Sequence, residues 1–342
     1  MKVTEDNLII GGVTIEPGEV KDVPLFIAKQ YDFTEIHMPV KVFCGIKKGP
    51  NLFICAAVHG DEVNGVEIIK RLSQHKSLQN IKGTLVLVPI VNAFGFNALS
   101  RYMPDRRDLN RSFPGSIHGS LSSRLAHLFV TEILNKCAFG IDLHSGSHHR
   151  TNLPQIRACL DTKETLTMAH AFNVPVILDA KIIDGSLRKV AYEKKIPFIV
   201  YEAGESLRYD EIAIQNGLRG ALSVMQALGM IEHVGKKQKK SHSIVAKGNF
   251  WIRSPHSGIV IIKKKLGTII RQGELLGVIS DPLGNNNIEI RAEKEGLIIG
   301  YTLLPLVNRG DAVFHIATFE KTHLIEKSLE AFNDDKFDYE ER

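Results

Sequence analysis

The chain has 342 residues, of which 44% are hydrophobic and 24% are charged, and its formal net charge is +5. These values are typical of an ordinary soluble globular protein and exclude a chain that depends on disulfides or a structural metal for folding. The length is sufficient for a large core and for two domains.

The predicted elements begin with a β-rich N-terminal segment, residues 1–40, in which a Pro-Gly turn signal separates two short apolar runs. Residues 41–234 then alternate between buried strands and helices of three-to-four periodicity. This alternation predicts an α/β domain with a mixed, mostly parallel sheet flanked by helices. The predicted strands are Asn51–Val58, Thr84–Val91, Ala138–Leu143, Val174–Leu178 and Pro197–Tyr201, and the helices include Val63–Leu72 and Ser122–Leu134.

A polar linker, residues 235–248, separates this domain from a β-rich C-terminal domain, residues 249–320, and a charged tail, residues 321–342. The C-terminal domain contains a weak repeat, since Gly258–Ile261 resembles Gly296–Ile299. Two similar β-halves resemble the lipoyl/biotinyl half-barrel. The segment between the halves, Pro282–Asn287, lacks the lysine that carries such a cofactor, so we expect no lipoyl or biotinyl group and reject a carrier function.

The linker contains a basic run, Lys236, Lys237, Lys239 and Lys240. Blocks of like charge are usually solvated, and no aromatic residues are interleaved with these lysines. We therefore expect no nucleic-acid partner, whereas the mild positive charge favours a small anionic substrate.

The cysteines and the N-terminus bear on the cellular compartment. Cys44, Cys55, Cys137 and Cys159 show no paired spacing, and two of them lie within apolar runs, which favours buried thiols in a reducing compartment. The N-terminus lacks the pattern of a signal peptide, and no apolar run has the length of a membrane span. We expect a cytoplasmic protein that does not bind membranes; the oligomeric state stays open, and a homo-oligomer is among the options.

Two separate motifs supply candidate metal ligands. His59 and Glu62 follow the first predicted strand of the α/β domain, and His144 directly follows the predicted strand Ala138–Leu143. Two imidazoles and one carboxylate are the ligand set of a catalytic zinc ion, which keeps one position open. Asp142 points in the same direction as His144 along a strand and can accept a hydrogen bond from a ligating imidazole.

Acidic and basic residues near these motifs suggest hydrolysis. Glu202 ends another apolar run and is a candidate general base, and Glu205, further into the loop, is its rival. An arginine-rich stretch, Arg101–Arg111, could hold a carboxylate, because the guanidinium group binds carboxylates through two parallel hydrogen bonds. Together these residues suggest metal-assisted hydrolysis of a small amide that carries a carboxylate.

Four segments in order resemble the succinylglutamate desuccinylase/aspartoacylase family, a branch of the zinc-carboxypeptidase-like fold. They are His59–Gly65, Asp108–Gly115, Asp142–Gly146 and Glu202–Gly204. The resemblance implies one zinc ion bound by His59, Glu62 and His144, with Glu202 as the base. It implies that Asn110 and Arg111 bind the carboxylate of the amino acid and that Arg101 polarises the scissile carbonyl, with Arg106 and Arg107 as alternatives. The C-terminal domain resembles the extension that shapes the active-site mouth in this family.

The predicted function is therefore a zinc-dependent amidohydrolase that cleaves a small N-acyl amino acid into a carboxylic acid and an amine. A zinc carboxypeptidase acting on small peptides would use the same metal and base, and a non-enzymatic metal-binding protein is the alternative from another class. The acyl group, the amino acid and the physiological metal are left open by the sequence.

Overall fold

From residue 8 to residue 227 the chain forms a short two-stranded sheet and then one large sheet with flanking helices. The structure is a computed structural model that describes residues 8–232, 243–320 and, near the C-terminus, 325, 326, 328 and 329. The first strands are β1 (Leu8–Ile10), β2 (Val13–Ile15), β3 (Val20–Lys29), β4 (Glu35–Cys44), β5 (Lys47–Ala56), β6 (Lys82–Val88), β7 (Phe139–Gly146), β8 (Arg150–Ala158), β9 (Val176–Asp179) and β10 (Phe198–Glu205). The helices are α1 (Asn64–Ser73), α2 (Ala93–Asn97), α3 (Leu121–Glu132), α4 (Lys163–Phe172), α5 (Leu187–Glu193) and α6 (Glu211–Ala227).

The centre of the sheet is parallel, and its two sides are antiparallel. Strands β6, β5, β7 and β10 are neighbours in that order and run parallel, whereas β4 and β3 on one side and β8 on the other are antiparallel to their neighbours. The predicted mixed sheet flanked by helices is confirmed, and its parallel part is centred on these four strands. In such sheets ligands bind beyond the carboxyl ends of the parallel strands.

Strand β5 shows why both faces of the sheet are covered. Its buried residues alternate: Leu52 and Ile54 join a core cluster with α1, α4 and α6, whereas Phe53 and Cys55 join a second cluster with α3 and α5. Successive side chains of a strand point to opposite faces, so a continuous apolar run needs a core on each side.

Most helices of this region begin with a side-chain cap. Asn92, Ser120, Thr162, Ser186 and Asp210 each accept a hydrogen bond from a backbone N–H in the first turn of α2 to α6. Such caps satisfy N–H groups that have no partner within the helix. Helix α1 has no side-chain cap, and the turn before it carries candidate metal ligands instead.

The C-terminal region is a β-structure with internal symmetry. Its strands are β11 (Ile244–Ala246), β12 (Gly248–Arg253), β13 (Gly258–Ile262), β14 (Ile269–Ile270), β15 (Leu275–Ser280), β16 (Asn287–Arg291), β17 (Gly296–Thr302), β18 (Leu306–Val307) and β19 (Ala312–Thr318). The strands from β12 onward pair with one another in antiparallel fashion. The predicted repeat is visible in the register: Val260 pairs with Ile279 in β13 and β15, and Ile298 pairs with Ile316 in β17 and β19. The short strands cross between the halves, because β14 pairs with β17 and β18 pairs with β13.

The C-terminal region is hydrogen-bonded to the main sheet. Strand β17 pairs with β8, so that Thr302 is the partner of Arg150, and β11 pairs with β9. In β12 and β19, Trp251 is the partner of His315. Through these pairings the C-terminal region lies next to the ends of the strands that carry the candidate site.

The predicted domain boundaries stay predictions. The boundary at residue 40 falls within β4, and the end of the predicted linker forms β11. The lysine run of the linker and most of the tail lie outside the described residues, although Ile325 and Leu329 pack into a core cluster with Leu153. Among the described residues, no helix is both long and apolar enough to cross a membrane.

Candidate metal centre and active site

His59 and Glu62 lie in the tight turn between β5 and α1. Gly60 allows this turn to pack closely against Gly95, because a Cβ atom at position 60 would lie 1.9 Å from the carbonyl carbon of Gly95. Both side chains are buried, and Nδ1 of His59 lies 2.8 Å from Oε1 of Glu62. The close packing of the turn against residue 95 fixes where the two ligand atoms point.

His144 enters the same place from β7. Its Nδ1 atom lies 2.7 Å from Oε2 of Glu62, and its Nε2 atom lies 2.7 Å from Oδ2 of Asp142. The second oxygen of Asp142 accepts from Sγ of Cys55 at 3.4 Å, and the Ser145 N–H donates to Glu62 at 3.1 Å. The contact that was expected between Asp142 and an imidazole is therefore present.

His59 has an equivalent carboxylate partner that sequence reasoning did not assign. Its Nε2 atom lies 3.1 Å from Oδ1 of Asp108, which also accepts from the N–H of Asn110. Asp108 stands in the recognised motif Asp108–Gly115, but nothing in the sequence indicated that it faces the first histidine. Each imidazole thus presents Nδ1 to Glu62 and Nε2 to an aspartate.

The side chains of Glu62, His59 and His144 shift one another's pKa. Burial opposes ionisation of Glu62, yet the neighbouring imidazoles of His59 and His144 outweigh it and hold the pKa of this carboxyl well below its ordinary value. Burial also opposes the charged form of both imidazoles, and the surrounding carboxylates nevertheless raise the pKa of each. Glu62 is therefore an anion, as a metal ligand must be.

The donor set fits a zinc ion. The ligand atoms of His59, Glu62 and His144, hereafter the metal cluster, lie within 4.8 Å of one another. A cation at their centre would take the Nδ1 lone pairs while each Nε2–H donates to its aspartate, the usual outer arrangement around a ligating histidine. Imidazole and carboxylate ligands are the types that zinc binds.

Arg101 lies directly beside the metal cluster. Its Nη1 atom is 3.2 Å from Nδ1 of His59, and its Nη2 atom donates to Asp108 at 2.9 Å. Burial disfavours the charged form of this guanidinium, but Glu62 and Asp108 more than compensate and raise its pKa. The alternatives, Arg106 and Arg107, are exposed and do not line the cavity described below.

Glu202 reaches the same edge of the sheet from β10, where it is the register partner of His144. Its Oε2 atom accepts from Nδ2 of Asn152 at 2.9 Å, and its Oε1 atom lies 3.6 Å from Nε of Arg157. The rival Glu205 lies 3.7 Å from Arg208 and does not line the cavity.

A cavity of about 230 Å³ joins these residues. The metal cluster, Asp142 and Glu202 line it together with Asn110 and Arg111, which come from the short 3-10 helix Leu109–Arg111. Oδ1 of Asn110 accepts from the Leu187 N–H at 2.9 Å, which fixes this loop to the start of α5. The predicted site residues are thus brought together around one opening, and Arg111 is the exposed member.

The cavity also contains residues that the sequence motifs did not reveal. Arg150 and Arg157 from β8 and Arg188 from α5, hereafter the arginine wall, also line it, and so does Trp251 from β12. These residues lie outside the four recognised segments. Strand β8 was not predicted, and the pairing of β8 with β17 is a long-range contact with no local signal.

Comparison with known proteins decides the family. The family model of the succinylglutamate desuccinylase/aspartoacylase catalytic domain matches residues 48–228, which is more than half of the 342 residues. The chain belongs to this family. Its members are deacylases, so the predicted family is confirmed and amide hydrolysis is the reaction type that it supports.

Individual relatives agree with this assignment. The N-alpha-acetyl-L-2,4-diaminobutyric acid deacetylase of Halomonas elongata is 28% identical over 79% of this chain and 82% of its own length. The structure of a succinylglutamate desuccinylase from Silicibacter sp. TM1040 matches at 24% identity with a TM-score of 0.82 and covers 93% of this chain and 100% of that chain. The product-bound ectoine utilization protein EutE (DoeB) from Ruegeria pomeroyi also has a TM-score of 0.82 at 24% identity, over 92% and 100%. These likenesses in structure show the fold.

Proposed function

We propose that this protein is a zinc-dependent deacylase that hydrolyses the amide bond of a small N-acyl amino acid and releases a carboxylic acid and a free amine. One observation carries the proposal: the metal cluster and Glu202 line the same cavity, next to arginines that suit an anionic substrate. Membership of a deacylase family supports the same reaction.

In this proposal His59, Glu62 and His144 hold one zinc ion. When bound, zinc polarises the acyl carbonyl and lowers the pKa of water. Asp108 and Asp142 keep the two imidazoles oriented through their Nε2 atoms, and the Ser145 N–H holds the carboxylate of Glu62. The site is thereby organised before substrate enters.

Glu202 is the proposed general base. Its carboxylate accepts a proton from the attacking water and then gives it to the departing nitrogen. The hydrogen bond from Asn152 fixes one oxygen, and the 3.6 Å approach of Arg157 leaves the other oxygen without a close hydrogen bond from that residue. One carboxylate can serve both steps because the proton taken in the first is needed in the second.

Two arginines and one asparagine are proposed to hold the substrate. Arg101 donates to the acyl oxygen as negative charge develops there, since its charge is fixed and it lies beside His59. Arg111, at the exposed side of the cavity, binds the carboxylate of the amino acid through the two-pronged geometry of its guanidinium group. Asn110 binds the same carboxylate through its side-chain amide.

The compartment and the domain division also belong to the proposal. Cys55 and Cys137 are buried free thiols, which suits a reducing compartment, and we place the enzyme in the cytoplasm. We keep residues 41–234 as the hydrolase domain and residues 249–320 as the domain that shapes the mouth of its cavity.

The test is the release of free amine from N-acetyl amino acids and dipeptides, with and without a chelator. We expect release from an acyl amino acid that the chelator abolishes and added zinc restores. Cleavage of dipeptides alone would replace the proposal with a carboxypeptidase. Release that a chelator leaves unchanged after complete metal removal would overturn the role of zinc.

A further inference from the structure

The thiol of Cys55 is linked to the metal cluster through one aspartate. Its Sγ atom donates to Oδ1 of Asp142 at 3.4 Å, and Oδ2 of the same carboxylate lies 2.7 Å from Nε2 of His144. Cys55 is fully buried and does not line the cavity, so it cannot touch a substrate there. Any influence of this thiol on the site must therefore pass through Asp142.

Strand pairing explains why the thiol and the carboxylate meet. Val88, Cys55, Asp142 and Val200 are successive register partners across β6, β5, β7 and β10. Residues directly opposite one another in neighbouring strands point to the same face of a sheet. All four residues are buried, and the side chains of the two valines carry no polar atom. Within this row of four described residues, the thiol is the one side-chain donor beside Asp142.

The protonation state of Cys55 suits a hydrogen-bond donor. Burial, followed by the negative charge of Asp142, raises the pKa of the thiol well above its ordinary value. The S–H group therefore stays protonated near neutral pH and donates, although a thiol is a weaker donor than a hydroxyl. Cys55 also lies outside the group of described side chains that could hold a metal ion. These observations point to support of Asp142 as its contribution to the site.

The two aspartates behind the imidazoles are supported by different donors. Asp108, which contacts His59, also accepts from the Asn110 N–H at 2.8 Å and from Nη2 of Arg101 at 2.9 Å. Apart from its contact with the other imidazole, Asp142 accepts from the thiol alone among the described residues. Loss of the thiol would leave Oδ1 of Asp142 buried without a hydrogen bond, which is unfavourable for a charged oxygen. The orientation of Asp142 thus depends on a single side chain.

We infer that Cys55 is a positioning residue of the metal site: its thiol holds the Asp142 carboxylate towards Nε2 of His144 and thereby strengthens zinc binding at Nδ1 of that ring. An outer carboxylate fixes the tautomer and the orientation of a ligating imidazole. A donor that fixes the carboxylate therefore acts on the same property. This inference rests on the zinc site of the proposed function and does not depend on the identity of the substrate.

A matched pair of variants, Cys55→Ala and Cys55→Ser, tests the hydrogen bond. Both new side chains are smaller than cysteine and leave a similar space in the core, but only serine keeps a donor beside Asp142. We expect Cys55→Ala to raise the dissociation constant for zinc about tenfold, and Cys55→Ser to stay within about threefold of the unmodified protein. Competition with a chromophoric chelator measures both constants. Equal weakening in the two variants, or no weakening in either, would overturn the inference.

Cys137 provides the control pair. It is also a buried free thiol in the core cluster that contains Cys55, but no described residue accepts a hydrogen bond from its Sγ atom. Cys137→Ala and Cys137→Ser should therefore leave the zinc affinity unchanged, even where the melting temperature falls. A loss of affinity as large as that in Cys55→Ala would attribute the effect to a looser core and contradict a positioning role. Cys55→Val, which fills the space of Sγ without a donor, should weaken zinc binding as alanine does, and it replaces the alanine variant if that variant does not fold.

Spectroscopy of the metal site gives a readout that does not depend on turnover. Co²⁺ in place of zinc has visible absorption bands that respond to the geometry of its ligands. We expect these bands to shift in Cys55→Ala and to return to their original position in Cys55→Ser. Identical spectra in the unmodified protein and both variants would contradict the positioning of His144 through Cys55.

Metal binding also separates this inference from the proposed reaction. If the protein hydrolyses no acyl amino acid, but zinc binding is weakened in Cys55→Ala and restored in Cys55→Ser, the inference stands and the proposed reaction falls. If hydrolysis depends on zinc and both variants bind zinc as the unmodified protein does, the proposed function stands and the role of Cys55 falls. Absence of zinc binding by the unmodified protein would overturn both.

Discussion

The cavity has a floor, formed by His59, Glu62 and His144, and a wall, formed by Arg150, Arg157 and Arg188, and the two differ in how their charges are paired. Each polar atom of the floor imidazoles faces a carboxylate at 3.1 Å or less. In the wall, the Nε atoms of Arg150 and Arg157 are buried and donate no hydrogen bond among the described residues, although that of Arg157 lies 3.6 Å from Oε1 of Glu202. An unsatisfied buried donor costs about 1–3 kcal/mol.

In our proposal this difference follows from the bound metal ion that the floor is expected to hold. The floor is held by hydrogen bonds from β7, from the turn after β5 and from Asp108, so its geometry is fixed before any ion binds. In the wall, no hydrogen bond fixes the Nε atoms of Arg150 and Arg157 among the described residues. The following experiments test this contrast, from the largest expected effect to the smallest.

His144→Ala should have the largest effect, because it removes a proposed ligand from the floor. We expect loss of bound zinc and a fall in kcat of about a thousandfold or more, the scale of several kcal/mol of metal catalysis. Metal content by atomic emission and amine release check the two parts. His170→Ala, on α4 away from the cavity, is the control; a variant at position 144 that keeps full zinc and activity would refute the ligand set.

Glu202→Gln should abolish proton transfer without loss of the bound zinc. The amide keeps the size of the side chain, so zinc content should be unchanged while kcat falls by about 10²–10⁴-fold. Glu205→Gln is the matched control, since Glu205 lies on the same strand and does not line the cavity. If the Glu205 variant loses activity and the Glu202 variant does not, the assignment of the base is reversed.

Asp108→Asn tests whether the zinc affinity of the floor depends on the aspartate that contacts His59. The amide can still contact Nε2 of His59 but removes the negative charge that polarises this imidazole. We expect zinc affinity to fall by about 10–100-fold, the usual effect of losing such a partner. Competition with a chromophoric chelator measures the affinity, and Asp105→Asn in the same loop is the control. An unchanged affinity would mean that Asp108 serves only to anchor the loop.

Arg111→Gln tests the exposed side of the cavity. Loss of one charge-assisted anchor should raise KM about tenfold and leave kcat within a few-fold of the original value, because the contact is present in both ground and transition states. Arg107→Gln, which removes an exposed charge outside the cavity, should leave KM unchanged. A fall in kcat at constant KM would assign Arg111 to the transition state instead.

Trp251→Leu should have the smallest effect, since it removes only the ring that supports Arg150. A cation–π contact contributes about 0.5–1 kcal/mol, so KM for the acyl amino acid that the protein hydrolyses should rise a few-fold at constant kcat. Steady-state kinetics measure both constants. A fall in kcat of more than tenfold would indicate that Trp251 shapes the whole cavity rather than supporting Arg150 alone.

The sequence by itself determined the fold class, the family and the principal candidates of the floor. Long apolar runs made the buried strands recognisable. The short motifs that contain His59, Glu62, Asp142 and His144 lie at the ends of these strands, where ligands bind in a parallel sheet. The match of residues 48–228 to the family model confirms the family. Their chemical roles stay predictions that the variants above can test.

Only the tertiary structure decided which residues complete the cavity. Asp108 contacts His59, which lies 49 positions earlier in the chain. Arg150 on β8 contacts Trp251 on β12 because β8 pairs with β17, β17 pairs with β19 and β19 pairs with β12. It also separated Arg101, beside the metal cluster, from the exposed Arg106 and Arg107. Such contacts follow from strand order and register, which are set by packing of the whole chain and leave no trace in the spacing of a local motif.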